Sequence, residues 1–157
     1  MGKRGEQWET VLLTGTFRRA LDEKLRVSLP KALRSSLSGR GAAWFVAPGT
    51  DGSLLIYPKE TFAELARRLA AAPPTDQNVR DFRRLFFAQA EQVELDRQGR
   101  LRIPVRLAEL AGLNKEVVLL GIQDHVELWD HRRWQRYLKK KTANYDSIAE
   151  SAFDRHD

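Results

Sequence analysis

Cysteine is absent from this chain of 157 residues, and so are long hydrophobic runs. Without cysteine there is no disulfide framework, no thiol nucleophile and no Cys-ligated metal site, a composition typical of a reducing cytoplasm. No uninterrupted apolar run approaches the roughly 20 residues that span a bilayer. The first residues are not followed by an apolar core, so we expect no signal peptide. The sequence therefore predicts a cytoplasmic protein with no membrane partner.

The signatures of common enzyme sites are missing as well. The three histidines, His125, His131 and His156, do not have the spacing of metal ligands. The chain has no GxSxG nucleophile motif, no P-loop and no GxGxxG loop. We therefore expect no enzyme activity, no metal, no cofactor and no small-molecule substrate.

The chain is basic. Its 27 Lys and Arg residues outnumber 21 Asp and Glu, which gives a net charge of +6 and a pI near 9.9. Hydrophobic residues make up 42% of the sequence, enough for a folded domain. The charge balance indicates an anionic partner without identifying it.

An internal repeat organises the sequence. Leu21–Pro30 aligns with Leu95–Pro104 at an offset of 74 residues, and Leu54–Tyr57 aligns with Val126–Trp129 at an offset of 72. Two ordered blocks at nearly the same offset indicate two copies of one unit. We therefore divide the chain into an N-terminal extension, a first unit, a linker helix, a second unit and a C-terminal tail, at residues 1–12, 13–72, 73–90, 91–143 and 144–157.

Each copy has the same local pattern, which is clearest in the second. Residues 92–95 alternate in polarity as a strand does, residues 96–99 form an Asp–Gly turn, and residues 101–103 resume the alternation, which predicts a hairpin. Pro104 begins a short helix, and two strands and a longer helix follow. Residues after Thr142 lack strong periodicity, so we expect them to fray or to dock against a neighbour. The fold class is a β-rich α+β fold.

Two arginines occupy equivalent positions, Arg26 and Arg100, each four residues after an aspartate, Asp22 or Asp96. A guanidinium at the exit of a rigid turn suits phosphate oxygens or the O6/N7 edge of guanine in a major groove. Alternatively, Asp and Arg simply pair across the turn. Both interpretations stay open at this stage.

More positive charge surrounds these turns, from Lys24 in the first and from Arg97 and Arg102 in the second. The basic segment 132–141 is better interpreted as a solvated helix face, with Trp134 and Leu138 turned inward. Phe82 and Phe86 are better interpreted as core or subunit-interface residues than as platforms for bases.

The motif Asp-x-x-x-Arg, followed by apolar-x-apolar-Pro and present in two copies, resembles the MraZ family of bacterial regulators. In the second half, residues 112–121 and the run Glu127-Leu128-Trp129-Asp130 extend the resemblance. In the first half, Leu54-Leu55-Ile56-Tyr57-Pro58 does so. The resemblance covers residues 13–143.

This resemblance implies two tandem AbrB-like swapped-hairpin β-barrel units with short helices, related by a pseudo-two-fold. It implies a ring-like homo-oligomer that associates with the nucleoid and represses the division and cell wall gene cluster by binding direct repeats in promoter double-stranded DNA. The family's DNA-contacting motif maps onto Asp22, Arg26, Asp96 and Arg100, and Lys24 matches the family's lysine. The aspartates and Gly99 would support the turns.

One position departs from the family pattern, which has glycine just before each motif arginine. Gly99 keeps it, but Leu25 replaces it in the first copy. If the backbone there is left-handed, a non-glycine residue costs about 1–2 kcal/mol. We expect Leu25→Gly to raise the melting temperature if Leu25 is only strained, and to lower it if Leu25 packs in the core.

Two other functions remain open on the sequence alone. One is an oligomeric scaffold whose basic face binds acidic partners, and the other is an AbrB-type antitoxin. The long tandem chain and the Trp129-Asp130 block count against the antitoxin.

Overall fold

The computed structural model describes residues 12–34 and 43–155, which contain eight strands and six helices. The strands are β1 (Thr16–Ala20), β2 (Arg26–Ser28), β3 (Ala43–Pro48), β4 (Leu54–Pro58), β5 (Glu91–Glu94), β6 (Arg100–Arg102), β7 (Glu116–Ile122) and β8 (His125–Asp130). The helices are α1 (Lys31–Arg34), α2 (Lys59–Ala70), α3 (Gln77–Gln89), α4 (Val105–Leu110), α5 (His131–Thr142) and α6 (Tyr145–Asp154). Of the predicted N-terminal extension, only Leu12 lies within the described residues.

Six strands form one antiparallel sheet in the order β1-β7-β8-β4-β3-β5, while β2 and β6 form a separate two-stranded ribbon. Strands β1–β4 belong to the first sequence copy and β5–β8 to the second. Strand β1 pairs with β7 of the other copy, β5 pairs with β3, and β4 meets β8 at the centre. The order is symmetric when the copies are exchanged, so a pseudo-two-fold relates them.

The Asp turns differ in one respect from the simple hairpins that the alternating pattern predicts. The backbone closes the first turn, because the Asp22 N–H donates to the Arg26 carbonyl at 3.1 Å. Beyond the turn the strands part, since β1 joins the sheet and β2 pairs with β6. The separation buries Val27 and Leu101, which lie opposite each other in the ribbon with no exposed surface. The β-rich α+β fold with tandem swapped-hairpin units is thus confirmed.

The main core lies between the sheet and the ribbon. Ribbon residues Val27 and Leu101 share one apolar cluster with sheet residues such as Trp44, Leu119 and Leu128. Both sequence copies contribute to this cluster, so the main core belongs to neither copy alone. Burial on this scale is the main stabilising term at roughly 25 cal/mol per Å² of apolar surface.

A second apolar cluster covers the other face of the sheet in the first copy. Phe86 of α3 is 2% exposed and lies with its ring centroid 5.8 Å from that of Phe62 on α2, which stacks on Phe45 at 4.4 Å. In the second copy, the matching cluster contains Trp129 with Trp134 of α5 packed against it. Among the described residues, no side chain of α6 belongs to that cluster.

Aspartates begin two of the longer helices. Asp76 accepts the Asn78 N–H at 2.8 Å at the start of α3. Asp130, only 6% exposed, accepts the Arg133 N–H at 3.3 Å and the Asn114 N–H at 3.1 Å. Such side chains satisfy amides that have no partner within the helix.

The prediction of weak periodicity after Thr142 is wrong. Residues 145–154 form α6, and their apolar members recur at helical spacing: Tyr145, Ile148, Ala149, Ala152 and Phe153. The interspersed serines, alanines and acids obscure this stripe in the sequence. Within the described ranges, no helix has both the length and the apolar character needed to cross a membrane.

Because the core is shared, we expect Leu101→Ala to lower the free energy of unfolding by about 2–5 kcal/mol, the usual effect of truncating a buried leucine. Urea denaturation followed by both tryptophan fluorescence and far-UV circular dichroism tests this. The two transitions should shift together and coincide, because strand exchange prevents either copy from unfolding alone. The exposed Arg97→Ala serves as control and should change stability by less than about 0.5 kcal/mol. A second, unshifted transition would contradict the shared core.

Candidate nucleic-acid interface

The first Asp turn is held together by one carboxylate. Asp22 Oδ1 accepts the backbone N–H groups of Lys24 at 2.9 Å and Arg26 at 2.8 Å. Asp22 Oδ2 accepts Arg26 Nε at 2.7 Å. The carboxylate therefore fixes the turn backbone and the direction of the arginine side chain together.

The second turn repeats this arrangement almost atom for atom. Asp96 Oδ1 accepts the N–H groups of Gln98 and Arg100, both at 2.9 Å, and Oδ2 accepts Arg100 Nε at 2.9 Å. The Asp–Arg pairing across the turn is therefore present in both copies. Each pair leaves the arginine's two terminal NH₂ groups without a hydrogen bond to any residue that the structure describes. Pairing in the turn and donation to a partner are thus compatible.

Both turn aspartates are held in the charged form. The pKa of Asp22 is lowered chiefly by the hydrogen bond from the Arg26 backbone amide; burial opposes this, and the Arg26 side chain and the Lys24 amide add to it. The pKa of Asp96 is lowered in the same way by Arg100 and Gln98. The pairs keep the arginine forks oriented while each guanidinium stays positive.

The outer face of the ribbon carries the arginines. Val27 and Leu101 point to the core, so their neighbours in β2 and β6 point away from it. Arg26 lies directly opposite Arg102, and Ser28 lies opposite Arg100. Opposed like charges destabilise a strand pair. Arg100 also reaches across the ribbon, with Nη1 4.0 Å from Oδ2 of Asp22, so the Asp22 carboxylate lies near two arginines.

Of the remaining predicted site residues, Arg102 lies on this face, and Lys24 and Arg97 lie in the adjoining turns. Lys24, Arg97 and Arg102 are exposed, and none makes an ion pair within the residues described. The two turns differ in charge: residues 22–28 sum to zero, whereas residues 96–102 sum to +2. The second turn is therefore the stronger candidate for an anionic partner.

The two turns also differ at the residue before the arginine. Leu25 has a φ of 62° and Gly99 a φ of 75°, so both positions are left-handed. A Cβ on Gly99 would lie 2.7 Å from Nη1 of Arg34, whereas the Leu25 side chain packs against the main core. Leu25 is thus both strained and packed.

Sequence reasoning missed Arg34, whose guanidinium occupies the space beside Gly99. At the offset of 74 residues, Arg34 corresponds to Ala108, a buried residue of the core cluster against which Leu25 packs. The large Arg34 lies beside Gly99, whereas its small counterpart Ala108 belongs to the cluster against which Leu25 packs. The repeat alignment contained this signal, since both departures occur within one pair of turns and short helices.

Other candidates lie away from the ribbon. The basic segment 132–141 is within α5, with most of its cations exposed, but Tyr137 rather than Leu138 turns inward beside Trp134; Leu138 is 47% exposed. Arg133 Nη1 donates to the Gly52 carbonyl at 3.2 Å. Phe86 is a core residue, as expected, and Phe82 is 45% exposed. In the part of the chain that is described, no group of His, Asp and Glu residues is arranged to hold a metal ion.

The exchanged strands and the paired Asp-x-x-x-Arg turns define a tandem swapped-hairpin protein of the AbrB type. Comparison with protein families agrees: the MraZ family model, described as "MraZ protein, putative antitoxin-like", matches residues 12–85 and again residues 86–156. The chain belongs to the MraZ family, which confirms the resemblance seen in the sequence.

Individual relatives are similar over nearly their whole length. The chain is 39% identical to the transcriptional regulator MraZ of Heliobacterium modesticaldum and 36% identical to that of Moorella thermoacetica, in each case over 91% of this chain and 98% of the relative. It is 38% identical to the transcriptional regulator MraZ of Lactiplantibacillus plantarum, over 89% of this chain and 97% of the relative.

The left-handed backbone and the packed side chain of Leu25 predict which of two Leu25 variants is the more stable. Leu25→Ala keeps the left-handed strain and loses the packed side chain, whereas Leu25→Gly loses the side chain but removes the strain. We expect the glycine variant to be more stable than the alanine variant by about 1 kcal/mol. Thermal and urea unfolding of both variants beside the original chain measure this. An alanine variant as stable as the glycine variant would contradict a strained Leu25.

The lowered pKa values of Asp22 and Asp96 predict a pH dependence of stability. A carboxylate whose pKa is lower in the folded state stabilises the protein fully above its unfolded pKa, near 3.8. That stability is lost as pH falls through the lower, folded pKa. The Asp22→Asn, Asp96→Asn double variant should therefore lose less stability than the original chain between pH 5 and pH 2. Glu91→Gln, Glu94→Gln, altered at exposed positions of β5, is the control for the loss of two carboxylates.

Proposed function

We propose that this protein is a transcriptional repressor that binds specific double-stranded DNA through the outer face of the β2–β6 ribbon. The observation that carries the proposal is the set of three arginines on one face. Arg26 and Arg102 oppose each other in like charge, and turn aspartates hold Arg26 and Arg100 in place. An arrangement that costs stability and orients donors outward is suited to an anionic partner. The printed names of the relatives, transcriptional regulators, support this choice.

A ribbon of two strands, such as β2–β6, is an element that can enter a DNA major groove. B-DNA's major groove is about 12 Å wide and admits a two-stranded ribbon, where an arginine fork can donate to both O6 and N7 of guanine. Arg26 and Arg100 would supply these forks through their terminal NH₂ groups. Lys24, Arg97 and Arg102 would contact the flanking phosphates, which position the protein but carry little sequence information.

The turn aspartates would act by preorganisation. Asp22 and Asp96 each fix an arginine through Nε before DNA arrives, so less side-chain entropy is lost on binding. Gly99 would supply the left-handed turn position beside Arg100. The scheme needs no cofactor and no catalytic step.

Repression would follow from several copies that occupy neighbouring sites. We propose a ring-like homo-oligomer whose rotationally related copies engage direct repeats at high effective concentration. The target, the promoter of the division and cell wall gene cluster, and a location at the nucleoid in the cytoplasm rest on membership of the MraZ family. Each chain presents one ribbon, so affinity would accumulate over copies.

A scaffold for acidic proteins would also use a basic face, and the family description "antitoxin-like" points to a protein partner. Competition separates these functions. From labelled promoter DNA, a repressor is displaced by unlabelled specific duplex far better than by a scrambled duplex of the same composition. From an acidic protein partner, a scaffold is displaced equally by both duplexes. An antitoxin would copurify stoichiometrically with a toxin.

Replacing the better-placed arginine tests the base-reading role. We expect Arg100→Ala to weaken binding to the repeats upstream of the protein's own gene by roughly 1–3 kcal/mol per engaged ribbon. Arg100→Lys should retain binding to scrambled duplex but lose selectivity, because lysine keeps the charge without the fork. Fluorescence anisotropy at several salt concentrations measures both effects, and log affinity should fall steeply with log salt.

The matched control is Arg83→Ala, which removes the same charge from an exposed position on α3. It should leave selectivity unchanged. Unaltered selectivity in Arg100→Ala, with the fold intact by circular dichroism, would exclude base reading by this residue. A flat salt dependence would exclude a phosphate interface.

A further inference from the structure

Helix α6 presents an apolar face that the chain itself leaves uncovered. Tyr145, Ile148 and Phe153 lie on one side of this helix and are 69%, 45% and 76% exposed. The helix has only ten residues. Isolated helices shorter than about 12–15 residues are marginal in water, so α6 needs a partner surface to hold its conformation.

The first sequence copy shows what such a helix does when it is docked. Helix α3 follows α2 as α6 follows α5, and α3 folds back so that Phe86 is buried against Phe62. Six residues, 71–76, connect α2 to α3, whereas only residues 143 and 144 connect α5 to α6. Unlike Phe86 of α3, the residues Ile148 and Phe153 of α6 stay exposed, so its own copy does not cover the apolar face of α6.

A receiving surface exists beside α6. A groove of about 350 Å³ runs between α5 and α6, lined by Trp134, Tyr137, Leu138, Lys141, Thr142, Tyr145 and Ile148. Leu138, a large apolar residue of α5, is 47% exposed in this groove. The groove is apolar at its base, with Lys141 among its lining residues.

Charge complementarity indicates which helix fits this groove. Residues 131–142 of α5 contain six Lys and Arg and no acid, whereas residues 145–154 of α6 contain three acids and no Lys or Arg. The acids of α6, Asp146, Glu150 and Asp154, recur at i, i+4 and i+8 and form one stripe next to Phe153. Lys141 lines the groove, and further cations lie along α5. An acidic amphipathic helix thus complements an apolar groove on a basic helix, and the chain carries both.

We propose that α6 of a second copy of this chain docks its apolar face in the α5–α6 groove. The inference rests on the proposed function, since it names the surface through which the homo-oligomer assembles. Ile148 and Phe153 then bury the area that they now expose, and the acids of α6 lie against the cations of α5. The neighbouring copy takes the place that α3 takes within the first unit.

A pair of adjacent substitutions tests this contact in the full chain. Ile148→Glu places a charge in the apolar face, whereas Ser147→Glu places the same charge on the opposite side of α6. We expect Ile148→Glu to raise the dissociation constant between copies at least about tenfold, because it removes the burial of a large aliphatic side chain. Ser147→Glu should assemble like the original chain. Analytical ultracentrifugation over a concentration series measures this, with circular dichroism to check the fold.

The absence of native cysteine permits a direct test of which surfaces meet. Chains carrying only Leu138→Cys and differently sized chains carrying only Ile148→Cys are mixed and oxidised. Docking predicts a mixed disulfide between the two chains, which Leu138→Cys with Ser147→Cys should not form efficiently, since disulfides require Cα atoms within about 7 Å.

The outcomes separate this inference from the DNA-binding proposal. Intact assembly of Ile148→Glu together with no mixed disulfide would overturn α6 docking and leave DNA binding by the ribbon standing. A monomeric original chain at every concentration would overturn both α6 docking and the proposed ring. Loss of selectivity in Arg100→Ala is measured independently of either result.

Discussion

The pairing of β2 with β6 is the contact on which the rest of the molecule depends. It joins one short strand from each sequence copy, buries Val27 and Leu101 over the sheet, and turns the neighbouring arginines outward. The burial that stabilises the fold therefore also creates the basic face, because alternate residues of a strand must point in opposite directions.

The two copies have diverged around this shared centre, each in its own direction. Gly99 lies beside Arg34, whereas Leu25 packs against a core that includes Ala108, so a change of size on one element is matched on another. The charge has shifted too, from zero around the first turn to +2 around the second. Pseudo-symmetry was therefore preserved where backbone pairing requires it and relaxed at the side chains. The face that meets a partner is correspondingly uneven.

The repeat, the Asp turns and most strands were predictable from sequence, because period-2 patterns and Asp–Gly turns are local signals. The exchange of strands between the two copies was predicted only from the family resemblance, because no local sequence pattern shows which strand pairs with which. The contact between Arg34 and Gly99 joins residues far apart in the chain, so only the comparison of the two repeat copies could have indicated it. Helix α6 was missed because alanines and serines weaken an apolar stripe that ends in Phe153.

The size of the ribbon explains why assembly matters to a site of this kind. Each ribbon strand has three residues, which at about 3.3 Å per residue span roughly 10 Å. On the proposed DNA target, that length would face only about three base pairs, since stacked bases rise about 3.4 Å. A sequence of three base pairs recurs many times among the millions of sites that a chromosome offers, so one ribbon would not select a single site. Specificity would then come from several ribbons held at fixed spacing, and the surface that joins the copies would be as much a part of the proposed recognition as Arg100 itself.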